Sequence, residues 1–136
     1  MENLQEKYKK FFGGICYAFC MVKKFKPYSA SDAEIARTVL DGWDAGFIDD
    51  DGYVSKPVQF INYIIEPEGI EVIDVEKVDF KKEELTEDIN IVMWEYGEKT
   101  HFVCMNKKGD VIFDPSGNSN TVKCGIPVSI RRYITK

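Results

Sequence analysis

Histidine is almost absent from this chain: it has one, His101. Any imidazole chemistry therefore rests on a single position. No stretch approaches the roughly 18 apolar residues of a membrane span, and the N-terminus, MENLQEKYKK, has no signal-peptide apolar run, so a cytoplasmic protein with no membrane partner is expected. Basic residues form no stripe. With lysines scattered among acidic residues and a formal net charge of -5, the chain lacks the electrostatic footprint of a nucleic-acid binder. Repeats, low-complexity tracts and long linkers are also missing. Cysteine is limited to 4 residues, and in a reducing compartment these read as free thiols, metal ligands or catalytic groups rather than as a disulfide framework. What is present is a core: 44% hydrophobic content over 136 residues supports one compact domain spanning 1–136.

The pattern divides the chain into a helical front and a strand-rich back. Residues 2 to about 12 and 15 to 25 read as helices separated at Gly13-Gly14, with Pro27 marking the end of the second. Ser31 followed by Glu34 is a capping-box signature, and Ile35, Ala36, Val39, Leu40 and Trp43 then recur at helical spacing as an inward face. That helix stops near Gly46. Pro57 suits a first helical turn, and Val58, Ile61 and Ile65 give a further apolar face that ends before Pro67. The period then changes. Runs rich in β-branched and aromatic residues occupy 70–75, 89–96, 100–106, 111–113 and 128–133, with a hairpin signal in KKGD at 107–110. Helices followed by an antiparallel sheet make an α+β layout.

The stretch GGICYAFC, residues 13–20, places Cys16 in the first turn of an apolar helix, just behind two glycines. Unpaired backbone N–H groups and the positive end of the helix dipole favour a thiolate there, and glycine lets a substrate backbone approach. Cys20, one turn deeper, lacks that advantage. A thiolate nucleophile needs a base that later protonates the leaving group, and His101 is the one imidazole available. His101 stands in THFVCMNKKGDVIFDP, which reads as a hairpin with Asp114 at the far end of its second strand. With Lys108-Gly109 as the turn the two residues are diagonal; with a loop from Asn106 to Gly109 they are directly opposite. Either register puts both on one face, where a carboxylate orients an imidazole and leaves its other nitrogen for a thiol. Separately, each residue has a plainer reading: a buried small hydrophobe, a packed histidine, a turn-initiating Asp before Pro115. Their conjunction points to Cys-His-Asp acyl transfer.

GGICYAF resembles the G-x-C-[WY]-[AS]-F stretch around the nucleophile of papain-like cysteine peptidases. HFVCMNKKGDVIFDPSG is similar to the "HFV, turn, DP" segment of their bacteriocin-leader-processing branch. The order Cys, His, Asp and the division into helices then sheet also match, and residues 31–64 resemble the middle of small bacterial and phage-associated proteins of that type. The resemblance implies a papain-like fold, helices packed on a C-terminal antiparallel sheet, acting on a peptide or protein substrate as a thiol hydrolase without a cofactor. It implies Cys16 as nucleophile, His101 as general base and acid, and Asp114 as the orienting group. One position departs: where the superfamily carries a Gln about six residues before the nucleophile, as an oxyanion donor, this chain has Lys10. Gln5 is the nearest upstream replacement; the backbone amide of Cys16 with another donor, or a degenerate site kept as a binding module, are the alternatives. A deamidase or transglutaminase would use the same three residues.

Two metal readings are weaker than this one. Cys16, Cys20, His101, Cys104 and Cys124 are zinc-ligand types, but His101 and Cys104 are three apart on a strand and point to opposite faces. The acidic run ending at Gly52 fails as a calcium loop because Phe47 and Val58 would fall at ligand positions, which leaves a turn. The segment KKEEL, 81–85, reads as solvated surface.

Overall fold

The computed structural model describes residues 15–26, 31–49, 52–65, 69–116 and 120–136. The helix expected at 2–12, Gly13-Gly14, Lys10, Gln5, Pro27 and Pro67 lie outside the described residues. The architecture is α+β: three helices, α1 (Cys16–Phe25), α2 (Asp32–Asp44) and α3 (Pro57–Ile65), precede a sheet of β1 (Val72–Asp79), β2 (Asn90–Tyr96), β3 (Lys99–Met105), β4 (Val111–Phe113) and β5 (Ile126–Thr135), with a short helix α4 (Asn120–Cys124) before the last strand. All pairings are antiparallel, in the order β1-β5-β2-β3-β4. Among the described residues, no helix is long and apolar enough to cross a membrane.

Local chemistry accounts for the helix ends. Ser31 caps α2: its side-chain oxygen accepts from the Glu34 amide at 3.3 Å, and its hydroxyl donates to the Glu34 carboxylate at 3.2 Å. Gly46 ends the same helix at φ 86°, a left-handed conformation that glycine adopts without a Cβ penalty. Of the acidic run, residues 50 and 51 lie outside the described residues; at its ends the Gly52 amide donates to the Asp49 carbonyl at 3.0 Å, and Ile48 bridges Val54. In mid-helix, Gly42 makes room for α3. A Cβ there would come within 2.5 Å of the Phe60 ring.

The helices bury one face of the sheet. Phe19, Met21, Ile35, Val39, Phe60 and Ile61 form a continuous apolar cluster with Val72, Ile91 and Cys104, and each large side chain in it contributes about 1.5–3 kcal/mol through burial. The other face carries a smaller cluster of Leu85, Val92, Val103, Met105 and Ile130, flanked by Phe80, Trp94 and Val122. Three sequence expectations are corrected. KKEEL is not simply solvated: its Lys82–Glu84 portion is a 3-10 turn that sets Leu85 into the second cluster and pairs Glu84 with Arg132 at 2.7 Å. Trp43, expected on the inward face of α2, is 39% exposed because the helix is closing and Gly42, not Trp43, meets α3. The helix α4 was not expected at all; at five residues it is too short to show a period, and Gly125 fits it against β2 with no space for a Cβ, which would stand 2.2 Å from the Glu95 carbonyl oxygen.

Candidate active site

The hairpin of β3 and β4 positions His101 and Asp114. Asn106 organises its loop, the side-chain oxygen accepting from the Lys108 and Asp110 amides, both at 3.0 Å. Met105 pairs with Val111, but Cys104 pairs with Phe113, so Ile112 is an extra residue and the strand carries a bulge. The bulge decides the register. Beyond it, Asp114 falls opposite residue 103, and His101 is its diagonal neighbour, the first of the two geometries open from sequence. Because β4 pairs β3 only at Cys104 and Met105, His101 stands at a sheet edge that no strand covers among the described residues. The chain leaving β4 and the start of α1 both reach it there.

The His101 Nε2 to Asp114 Oδ1 distance is 2.6 Å, with the two side chains 6% and 8% exposed. The Ser116 amide donates to the same carboxylate oxygen at 2.9 Å, fixing its orientation. Cys16 is the second group that acts on the His101 ring, and with Nε2 committed to Asp114 the nitrogen left for it is Nδ1. Burial by itself lowers the imidazole pKa. The hydrogen bonds with Asp114 and Cys16, and the negative charge on both, outweigh it and raise the value from an ordinary 6.5 to about 9. At neutral pH the ring is thus held as an imidazolium beside the Asp114 carboxylate.

Cys16 is the first residue of α1, follows Ile15 as N-cap and is 6% exposed. Its backbone N–H heads the helix, among the amides that have no acceptor within it. One turn on, Cys20 is completely buried against the sheet: the Cys104 thiol donates to the Cys20 carbonyl at 3.6 Å, and burial, reinforced by the neighbouring Cys104, pushes the Cys20 thiol well above its ordinary pKa. His101 and Cys104 do point apart, one to Asp114 and the other to α1. Among the described residues no three His, Cys, Asp or Glu side chains gather as metal ligands. Cys124 is exposed at the end of α4 and takes no part.

Cys16, His101 and Asp114 are therefore brought together, while Gln5 lies outside the described residues. Sequence reasoning passed over Trp94, which pairs directly across from His101 and whose indole Nε1 is buried with no acceptor among the described residues. The signal was available: Gly97, at φ 61°, with Glu98 makes a two-residue turn between paired Tyr96 and Lys99, and counting back from it sets Trp94 opposite His101. A cavity of about 180 Å³ lies at the other end of α1, between Lys24, Phe25 and the β5 residues Arg131 to Tyr133, and includes none of the three residues. No family model, curated protein or solved structure matches this chain.

Proposed function

We propose that the protein is a papain-like thiol hydrolase that cleaves a peptide or other amide by acyl transfer through Cys16, His101 and Asp114. The observation that carries the proposal is the 2.6 Å contact of Asp114 with the chain's one histidine, whose pKa is also raised by Cys16 at a helix start. The Cys16 thiolate attacks the carbonyl carbon, and the carbonyl electron pair moves onto oxygen. The Cys16 amide at the head of α1 is placed to donate to that oxygen. Collapse of the adduct expels the amine, which takes the proton from His101 Nδ1 and leaves a thioester. Neutral His101 then removes a proton from water, hydroxide adds to the thioester carbonyl, and the thiolate departs with the acid. Asp114 stays ionised throughout, holding the Nε2–H and the ring orientation.

Lys10, where the family has an oxyanion-donating Gln, favours a second reading, a fold retained for binding without useful turnover. Intact mass after exposure to a peptidyl electrophile separates the two. An active hydrolase forms one adduct on Cys16, lost in His101→Ala, and releases product from a blocked peptide amide. Adduct formation without product release supports the binding reading; no preference for Cys16 over Cys124 removes both.

A further inference from the structure

Strand β5 outruns its neighbour β2. The last β2–β5 pair toward the end of the chain is Ile91 with Arg131, whereas on its other side β5 stays paired to β1 as far as Thr135 with Val72. Asn90 turns the chain away at this point: its side-chain oxygen accepts from the Glu87 amide at 3.2 Å and its amide group donates to the Glu87 carbonyl at 2.7 Å. Among the described residues no strand pairs β5 on that side beyond Arg131. Every second residue of 132–135 therefore presents its amide and carbonyl to an open edge. The cavity of about 180 Å³ lies along this edge, its lining taking in β5 as far as Thr135, the end of α1 and the segment from Glu84 to Asn90. Cations outnumber carboxylates in that lining, Lys24, Arg131 and Arg132 against Glu84 and Glu87. Arg132 and Glu84 satisfy each other at 2.7 Å, and Glu87 is exposed. Lys24 and Arg131 have no carboxylate partner among the described residues. Lys24 donates to the Ile89 carbonyl, and Arg131 donates to the Ser129 hydroxyl at 2.8 Å. Burial lowers the Lys24 pKa, against the charge of Glu87, so its ammonium carries a desolvation cost that a bound anion offsets.

We propose that this edge and its cavity bind the C-terminal end of an extended peptide, which adds as a short strand beside residues 132–135 and sets its terminal carboxylate against Lys24 and Arg131. Main-chain pairing to an open strand edge accepts any extended peptide, and the unpaired cations select the end that carries a carboxylate. A surplus of one positive charge suits a monovalent carboxylate better than a phosphate group, which carries close to two negative charges at neutral pH. The proposal is independent of the hydrolase reading, because the cavity includes none of Cys16, His101 and Asp114.

Full-length Cys16→Ala protein, in which no peptide can be consumed, is titrated with acetyl-Thr-Val-Thr-Val bearing a free carboxylate, with the same peptide as its C-terminal amide, and with acetate and inorganic phosphate. Backbone amide resonances and their hydrogen exchange are followed. The acid peptide should shift the signals of 132–135 and slow exchange at alternate positions there, and the peptide amide should bind at least about tenfold more weakly. Lys24→Met should remove most of that preference and leave the affinity for the peptide amide within about threefold; Arg131→Gln makes the same test should Lys24→Met fail to fold. Equal affinity for acid and amide, shifts confined to β1 at the end of the sheet, or acetate or phosphate binding as tightly as the acid peptide would each overturn the proposal. So would the absence of any binding in a protein whose 132–135 amides are already protected from exchange, since another part of the chain then holds the edge.

Discussion

Cys16 and Cys20 are the same residue type on the same helix, one turn apart, and both are buried. Their surroundings differ completely. Cys16 meets a buried imidazole held by a carboxylate, while Cys20 meets another thiol and the apolar underside of the sheet. Burial therefore does not separate a candidate nucleophile from a packing cysteine; the neighbouring group does. Desolvation without a cation stabilises the neutral thiol, and desolvation beside an imidazolium supports the ion pair.

The largest expected effect tests that difference directly. If turnover runs through the Cys16–His101 pair, Cys16→Ala and His101→Ala should each lower kcat by up to about 10⁶-fold, and the double variant should be no worse than either single one. Asp114→Ala should cost less, on the order of 10⁴-fold, because it frees the imidazole without removing it. Steady-state rates with a blocked peptide amide decide this, and a Cys20→Ala variant as inactive as Cys16→Ala would invert the comparison.

Native-state alkylation should reproduce the contrast without a substrate. Iodoacetamide should modify Cys16 and the exposed Cys124, while Cys20 and Cys104 react only through opening of the core, at least about 10³-fold more slowly. Peptide mapping at short times reads the order, and equal labelling of Cys16 and Cys20 contradicts it.

Protonation of His101 should be visible in stability. Its folded pKa of about 9 lies above the ordinary 6.5, so the folded state binds the proton more tightly. The resulting stabilisation, of order 3 kcal/mol, is fully present below about pH 6.5 and is lost as pH rises through about 9. Urea denaturation at pH 6 and pH 9.5 should show the wild type losing more stability than His101→Gln over that interval. An identical pH dependence in the two proteins would show that the proton is not held.

The smallest effect concerns the thiols as packing groups. Cys20→Ser places a hydroxyl in the apolar interior and should cost about 1–3 kcal/mol, whereas Cys16→Ser places one beside an imidazole and should stay within about 0.5 kcal/mol. Denaturation midpoints compare them, and the reverse order would place Cys16, not Cys20, in the structural role.

The helices were legible because their apolar residues recur at a fixed period and Ser31, Pro57 and Gly46 mark ends with local chemistry. His101 and Asp114 were legible as one face of a hairpin, but the choice between diagonal and opposite was not: it depends on the bulge at Ile112, and nothing in VIF announces an extra residue. β1 runs to Asp79, four residues beyond its apolar run, because an edge strand pairs on one side only and tolerates Asp74, Glu76, Lys77 and Asp79 facing solvent. Leu85 was hidden by its charged neighbours, and Trp43 was misplaced because periodicity gives a helix face but not where its partner ends.

Strand β5 lies between β1 and β2, pairing Val72 with Thr135 on one side and Ile91 with Arg131 on the other. During synthesis, the two strands it joins emerge well before it and wait without a common neighbour. The helix bearing Cys16 is made earlier still, yet the sheet beneath it closes only when residues 126–135 arrive. Closure between such distant partners is slow, and strand edges left open meanwhile can pair with other chains. Completion of the candidate site is thus timed by the far end of the sheet: a nascent chain stopped before residue 126 holds all three candidate residues and lacks the strand that completes their platform.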